Sequence, residues 1–313
     1  IGSNAGNDTQ KEYSIAIGYD SGKTNQKQYS IAIGNNSGVI NHGGNVGYSI
    51  AIGNNAGYNT QKEYSLAIGN SAGKENQSEY SVALGFKSGK TTQGVNAIAI
   101  GAGAGQLQQG GYAIAIGSEA GSGGNAIGGA IIGTQGGSSI ALGYQTGKLY
   151  QSTNCVAIGR EAGKDTQGAD TISIGNYQDS ALDGQKNQSN NAISLGRNAG
   201  KYDQGANAIA IGKNAGYGDN ANSANNQADD AIAIGRGSGE VNQGTRSISI
   251  GFKSGESSQS AGSIAIGESS GNTSQGGTNG NSIAIGKSSG NTSQGANSIA
   301  IGANSKTTKE NEI

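Results

Sequence analysis

Proline, methionine and tryptophan are absent from the 313-residue chain, which holds one cysteine, one histidine and two phenylalanines. Each shortage closes a class. Without proline, and without a three-residue glycine period, the 59 glycines cannot build a collagen triple helix. The lone Cys155 allows no intrachain disulfide framework. His42 stands apart from any Cys or carboxylate cluster at ligand spacing, so no metal site is expected. Twenty basic and 21 acidic residues leave a net charge of −1 with no long run of one sign. The footprint of a nucleic-acid binder is therefore missing, as is a polybasic membrane patch. No apolar run approaches the ~20 residues that span a bilayer, so no membrane insertion is expected in this segment. At 33% hydrophobic and 13% charged, the chain has too few large apolar side chains for an ordinary large core. It opens at Ile1, inside a repeat and without Met, which predicts a processed product or a segment of something longer.

What is present is a repeat. A block of the form small–Ile–Ala–Ile–Gly recurs with its glycine at 18, 34, 53, 69, 85, 101, 117, 133, 143, 159, 175, 196, 212, 235, 251, 267, 286 and 302, and Ile1-Gly2 is a truncated first copy. Of the eighteen intervals thirteen are 16 residues long; the others are 19, 10, 21, 23 and 19. A small residue and a second glycine follow most block glycines, as at Ser21-Gly22, Ala56-Gly57 and Ser254-Gly255, and a glutamine recurs eight residues after the block glycine.

Alternation with β-branched residues is a strand signal, and glycine every few residues opposes helix. Five residues of strand, a bend, a short second segment and another bend close a 16-residue path. Strung together, such paths predict an all-β, parallel β-solenoid (a flattened β-roll) of about 19 coils over 1–302, a rod on the order of 90 Å long. The irregular intervals predict outward loops near 42–47, 177–190, 218–229 and 276–280. The 10-residue interval predicts an irregular coil or hinge near 118–139. Residues 303–313 lose the pattern and read as a polar cap or connector.

Side chains alternate across a strand, so the two Ile positions of a block share one face. Their size predicts that this face is the buried one, at roughly 1.5–3 kcal/mol per Ile. The middle position, mostly Ala, is then expected on the opposite face as a flat strip. It is either tolerated exposure or an interface with other chains along the axis, and the second reading is favoured. The candidates for an interface with other chains are therefore Ala16, Ala32, Ala51, Ala67, Ala83, Ala99, Ala115, Ala157, Ala210, Ala233, Ala265, Ala284 and Ala300.

Blocks such as Ser30–Gly34 and Ser81–Gly85 resemble the head repeats of trimeric autotransporter adhesins of the YadA type. The resemblance implies a left-handed parallel β-roll with three chains side by side. The usual unit of that family is shorter, the Ala-Gly…Gln half differs, and no neck, heptad stalk or anchor motif is seen. The long unit is also similar to repeats in fibre proteins of large viruses.

The remaining candidates are weaker. Gly18–Thr24 and Gly85–Thr91 have three residues between their glycines, where a phosphate-binding loop needs four and a following helix. Cys155 fills a small-residue slot and reads as packed. Paired Asp229 and Asp230 read as solvated loop charge. The glutamines read as a structural amide ladder. Tyr13, Tyr29, Tyr48, Tyr64 and Tyr80 hold one slot in consecutive coils and form a candidate surface-contact column; Tyr112 returns two coils later. No catalytic residue or cofactor is expected, and the chain is not expected to be an enzyme. The reading that unites these features is a homotrimeric, extracellular adhesive fibre on a cell or virion surface, open to further fibre assembly. Its partner would be a host receptor, matrix protein or glycan. The alternative is a monomeric ligand-binding β-solenoid, such as an ice- or glycan-binding protein.

Overall fold

The computed structural model describes residues 1–124, 133–175, 187–219, 226–277 and 279–313. Two compact units divide the chain, Ile1–Asp165 and Thr166–Ile313. Each is a parallel β-solenoid without helix among its described residues. Most coils carry two short strands. The first is the Ile-Ala-Ile block, for example Ile50–Ile52, and the second ends in the recurrent glutamine, for example Asn59–Gln61.

Within each unit the block strands pair in parallel with their counterparts in the next coil without slippage: Ile50 faces Leu66, Ala51 faces Ala67 and Ile52 faces Ile68. The first unit holds nine such strands, from Ile15–Ile17 to Val156–Ile158, and the second holds eight, from Ile172–Ile174 to Ile299–Ile301. That makes 17 rungs among the described residues, against about 19 expected. The truncated copy at Ile1-Gly2 forms no strand. The copy ending at Gly133 lies, apart from that glycine, outside the described residues, and Ile114–Ile116 pairs directly with Ile140–Leu142. The short interval and the one before it thus close as one long coil, in which Glu119 meets Gln145, 26 residues on. Part of the expected hinge, 125–132, lies outside the described residues, as do 176–186 and 220–225 of two expected loops.

The inside of the coil corrects the sequence reading. Along the blocks the outer two side chains are half-buried or exposed and the middle one is buried. Ala32, Ala51, Ala67, Ala83, Ala99, Ala115, Ala157, Ala210, Ala233, Ala265 and Ala284 are fully buried within the single chain, and Ala16 and Ala300 nearly so. They join Ala56, Ala72, Ala104 and Ala215 from the small-Gly turns in compact alanine clusters. A 16-residue circumference leaves too narrow an interior for two isoleucines per rung. Methyl groups fit it, and the isoleucines are turned outward. The alanines are core, not interface.

The other half of the interior is glutamine. Gln61 is fully buried, and its Nε2 donates to the carbonyls of Ile50 at 2.9 Å and Ser65 at 3.2 Å, tying one sheet to the other. The same pair of bonds recurs at Gln93, Gln204 and Gln259. In the second unit the amides also bond to one another, from Gln167 through Gln188, Gln204, Gln227, Gln243 and Gln259 to Gln275, at 3.0–3.4 Å. The amide ladder expected from the sequence runs unbroken there as far as Gln275; the Gln294 amide oxygen has no partner among the described residues. In the first unit it joins Gln93, Gln109 and Gln135. Where Ser replaces the central Ala, its hydroxyl uses the amide oxygen: Ser249 donates to Gln259 Oε1 at 2.6 Å, and Ser194 to Gln204 Oε1 at 2.7 Å.

Two glycines per coil are required by contacts. A Cβ on the block glycine Gly53 would stand 2.6 Å from the Gly69 carbonyl of the next coil. A Cβ on the second glycine, as at Gly89, would stand 2.7 Å from the buried amide oxygen of Gln93. The spacing of the second glycine and the glutamine is therefore one packing unit.

Replacing Gln204 by Leu keeps volume but removes the amide's bonds to the carbonyls of Ile193 and Ala208, the second of which still accepts the Ile193 N–H, and strands the Ser194 hydroxyl and the Gln227 amide oxygen. Buried groups left unpaired cost about 1–3 kcal/mol each. Hydrogen-exchange protection in Ile193–Leu195 and Ile209–Ile211 is expected to fall by about a hundredfold. Unchanged protection would show that the amide is a filler and not a tie.

Candidate interaction surfaces

Turning the isoleucines outward gives each unit a face carrying two columns of branched aliphatic side chains. Several are openly exposed, among them Ile15 at 45%, Leu84 at 40% and Ile301 at 66%. The rungs repeat at ~4.8 Å, so the columns are continuous within a unit. Parallel sheets occur almost only with both faces covered, and monomeric soluble proteins rarely expose contiguous apolar patches above a few hundred Å². One face of this sheet is covered by the coil's own interior. The other, in a single chain, is not.

Each Ile face has two edges. The leading edge is the residue two before the first Ile. In the first unit it is Tyr13, Tyr29, Tyr48, Tyr64 and Tyr80, whose rings stack at centroid distances of 4.8–5.2 Å and interplanar angles of 1–15°. The expected column exists, and its rings are exposed. All five hold φ between 55° and 61°, a left-handed conformation that suits Asn or Asp and strains a bulky residue. In the second unit the slot obeys that preference at Asn191, Asn207 and Asp230, with φ 57–60°, and departs from it at Arg246, with φ 58°. Tyrosine in the first unit therefore stands there for its ring, against backbone preference. Tyr112 occupies the same conformation without a stacked neighbour, since Asn96 fills the slot before it.

The trailing edge is the residue after the block glycine, a slot the sequence reading passed over. In the second unit it carries Arg197, Lys213 and Arg236 on consecutive coils, all exposed. None is within ion-pair distance of a carboxylate among the described residues. Phe252 follows, with the Arg236 guanidinium 4.3 Å from its ring centroid. Behind this edge burial raises the Glu240 carboxyl above the usual range, while Asn214 Nδ2 donates to it at 3.3 Å. Reading the slot after the block glycine as its own column would have exposed this edge in the sequence.

The other candidates fall into place as structure. His42 stands in the glutamine column opposite Gln61, fully buried, with neither ring nitrogen hydrogen-bonded. Burial alone pushes its pKa down to about 3. Cys155 is buried in the small-residue slot. Asp229 Oδ1 accepts the Ala206 N–H at 2.8 Å and Asp230 Oδ1 accepts from Asn207 Nδ2 at 3.0 Å, both at the surface. Gly18–Thr24 leads into the strand Thr24–Gln26, with no helix to receive a phosphate. No group of three His, Cys, Asp or Glu able to hold a metal occurs among the described residues. No helix there is long and apolar enough to cross a membrane.

The family model of the YadA head domain repeat matches residues 290–311, in two copies. The matched segment contains the last complete block, Ser298–Gly302. No curated protein matches the chain. With its parallel solenoid, the chain is similar to a YadA-type β-roll head.

His42 makes the first unit sensitive to acid. Its folded pKa lies below the ~6.5 of a solvated imidazole, so the unfolded chain binds more protons between those values. Stability is full above pH ~6.5 and falls, by up to about 1.4 kcal/mol per pH unit, on the way down to pH ~3. His42→Gln supplies the amide used in neighbouring coils and should flatten that part of a urea-midpoint-against-pH profile. A slope unchanged by the substitution would assign the acid sensitivity to other groups.

Proposed function

We propose that this chain is the head of a non-enzymatic adhesive fibre, a surface-exposed homotrimer of parallel β-rolls associated through their isoleucine faces. One observation carries the reading: in each unit a parallel sheet whose outer face is a double column of Ile, Leu and Val that the described residues leave half-buried or exposed. Three such faces turned towards a common axis cover one another, which is cyclic closure in its simplest form. The similarity to the YadA head repeat agrees with this arrangement and with an extracellular, cell-surface location. The trimer interface is thus assigned to the isoleucines, one residue to either side of the alanines that the sequence favoured.

The polar outer sheet and the Tyr column remain outside such a core. The column is the one regular aromatic strip among the described residues, and it is the proposed contact for a receptor, matrix protein or glycan, where aromatic residues are favoured. Three-fold copying would raise a weak contact to useful avidity. A monomeric ligand-binding solenoid is the second reading, and it would leave the isoleucine face in water.

Two measurements test this. Light scattering on the eluting protein should give three times the chain mass, and Ile209→Glu with Ile211→Glu should yield monomer at the same concentration. Monomer from the unsubstituted chain would overturn the trimer. Separately, Tyr29→Asn, Tyr48→Asn and Tyr64→Asn together suit the left-handed backbone and should leave the fold intact. Binding to a cell or glycan surface should drop at least about tenfold with loss of these aromatic contacts; unchanged binding would remove the Tyr column from the adhesive site.

A further inference from the structure

Identical rungs pose a problem for association. Two isoleucine faces slid by one coil match nearly as well as two in register, because the columns repeat every rung. Register has to come from positions that do not repeat, as it does in any flat and uniform sheet. In the second unit those positions are the two edges of the isoleucine face.

Block strands run across the coil axis. Around a cyclic axis parallel to the coils, the trailing end of each strand therefore points at the leading end of the same strand in the next copy. We propose that the two edges of the second unit are the complementary halves of an intermolecular seam, and that a second copy of this chain, in register, is its occupant. The proposal rests on the trimer reading above and adds to it which residues meet.

The edges match coil by coil. The trailing edge stacks Arg197, Lys213 and Arg236 at coil spacing, three exposed like charges with no ion pair among the described residues. Stacked like charges are unfavourable in the isolated chain. On the leading edge the same three coils present Asn191, Asn207 and Asp230, all acceptors for a cation. In the next coil both edges change together. The leading edge becomes cationic, with an exposed Arg246, and the trailing edge replaces its cation with Phe252. In register, Asp230 meets Arg236 of the partner subunit, and Arg246 meets an aromatic ring in place of a fourth cation.

Slippage in either direction breaks the pairing of Asp230 with Arg236 of the partner subunit. One coil one way sets Arg246 against Arg236 of the partner subunit, two cations with no acid between them, while Asp230 exchanges Arg236 of the partner subunit for Lys213 of the partner subunit. One coil the other way sets Asp230 against Phe252 of the partner subunit and leaves Arg236 facing an amide, while Asp170 gains Arg197 of the partner subunit. Arg246 then meets Glu268 of the partner subunit, a carboxylate that its own chain already pairs with Lys287 at 3.2 Å. A staggered ring also fails to close and would propagate as an open filament. Closure thus selects the in-register trimer from a set of otherwise near-equal packings, and within it the edges set Asp230 against Arg236 of the partner subunit.

The test uses the full chain. Asp230→Cys combined with Arg236→Cys places thiols at opposite ends of one strand, beyond the ~7 Å reach of an intrachain disulfide. Cys155 is buried and should stay silent. Mild oxidation should convert this variant to a covalent trimer on a non-reducing gel. In parallel, Arg236→Asp and Asp230→Arg should each weaken association about tenfold at low salt, and the double reversal should restore it. A trimer by light scattering that neither cross-links nor responds to either reversal overturns the seam and leaves the trimer standing. A monomer by light scattering overturns the trimer reading, and the seam with it.

Discussion

The buried glutamine amide is the constraint on which the coil depends. A 16-residue turn brings two sheets together with room for little more than methyl groups, and backbone carbonyls on the inner side need partners. One amide per coil adds a second donor, reaching across from the second strand to two carbonyls of the coil, of which that of Ser65 also accepts the Ile50 N–H. Much else in the unit follows from that reach. The second glycine is bare because the amide oxygen lies where its Cβ would be. The central block residue is Ala because the amide occupies the remaining width. Ser is admitted there because its hydroxyl can bond the same oxygen. His42, the one departure in this column among the described residues, fills the space without making the bonds.

This explains which parts of the fold were legible in the sequence. Period, strand type and parallel stacking follow from spacing alone, since the block glycines approach the next coil too closely for any side chain. The glutamine ladder was legible for the same reason, as a polar residue recurring in a fixed slot. The facing of the block was not. Hydrophobicity argues that Ile goes inward and Ala outward, and volume decides the reverse. The two criteria conflict only when a core is narrower than its largest side chain, and chain pattern does not report width directly. The glutamine was the available clue: a long side chain repeated in every coil already claims the interior. The long coil between Gly117 and Gly143 escaped a firm reading because its spare block copy, ending at Gly133, imitates a rung that the pairing of Ile114–Ile116 with Ile140–Leu142 passes over.

The edges of the isoleucine face were half legible. Tyr at a fixed slot stands out in composition, and the structure stacks those rings as a repeat at coil spacing requires. Its meaning changes once backbone conformation is known. A left-handed slot takes Asn or Asp at little cost, as the second unit shows, whereas five tyrosines accept the same geometry in the first. Ring stacking between coils offsets part of that strain at about 0.5–1.5 kcal/mol per pair, which makes the column both an internal brace and a surface. The trailing edge drew no notice because its residues share neither size nor charge along the whole chain. Its pattern emerges only over the few coils from Arg197 to Phe252.

Repetition and irregularity then do different jobs. Repeated rungs supply strength: each adds a little buried area and one amide, and the sum grows with the number of coils. They supply no uniqueness, because a perfect repeat fits its neighbour in as many registers as it has rungs. Everything that individualises a coil breaks this degeneracy, including the insertion after His42, the long coil and the change of sign at Arg246. A perfectly regular version of this chain would bury the same isoleucines and associate at least as strongly, yet into staggered and open-ended assemblies. The departures from the repeat are on this argument a condition for a closed particle of definite length, and they belong on the faces and edges that copies share.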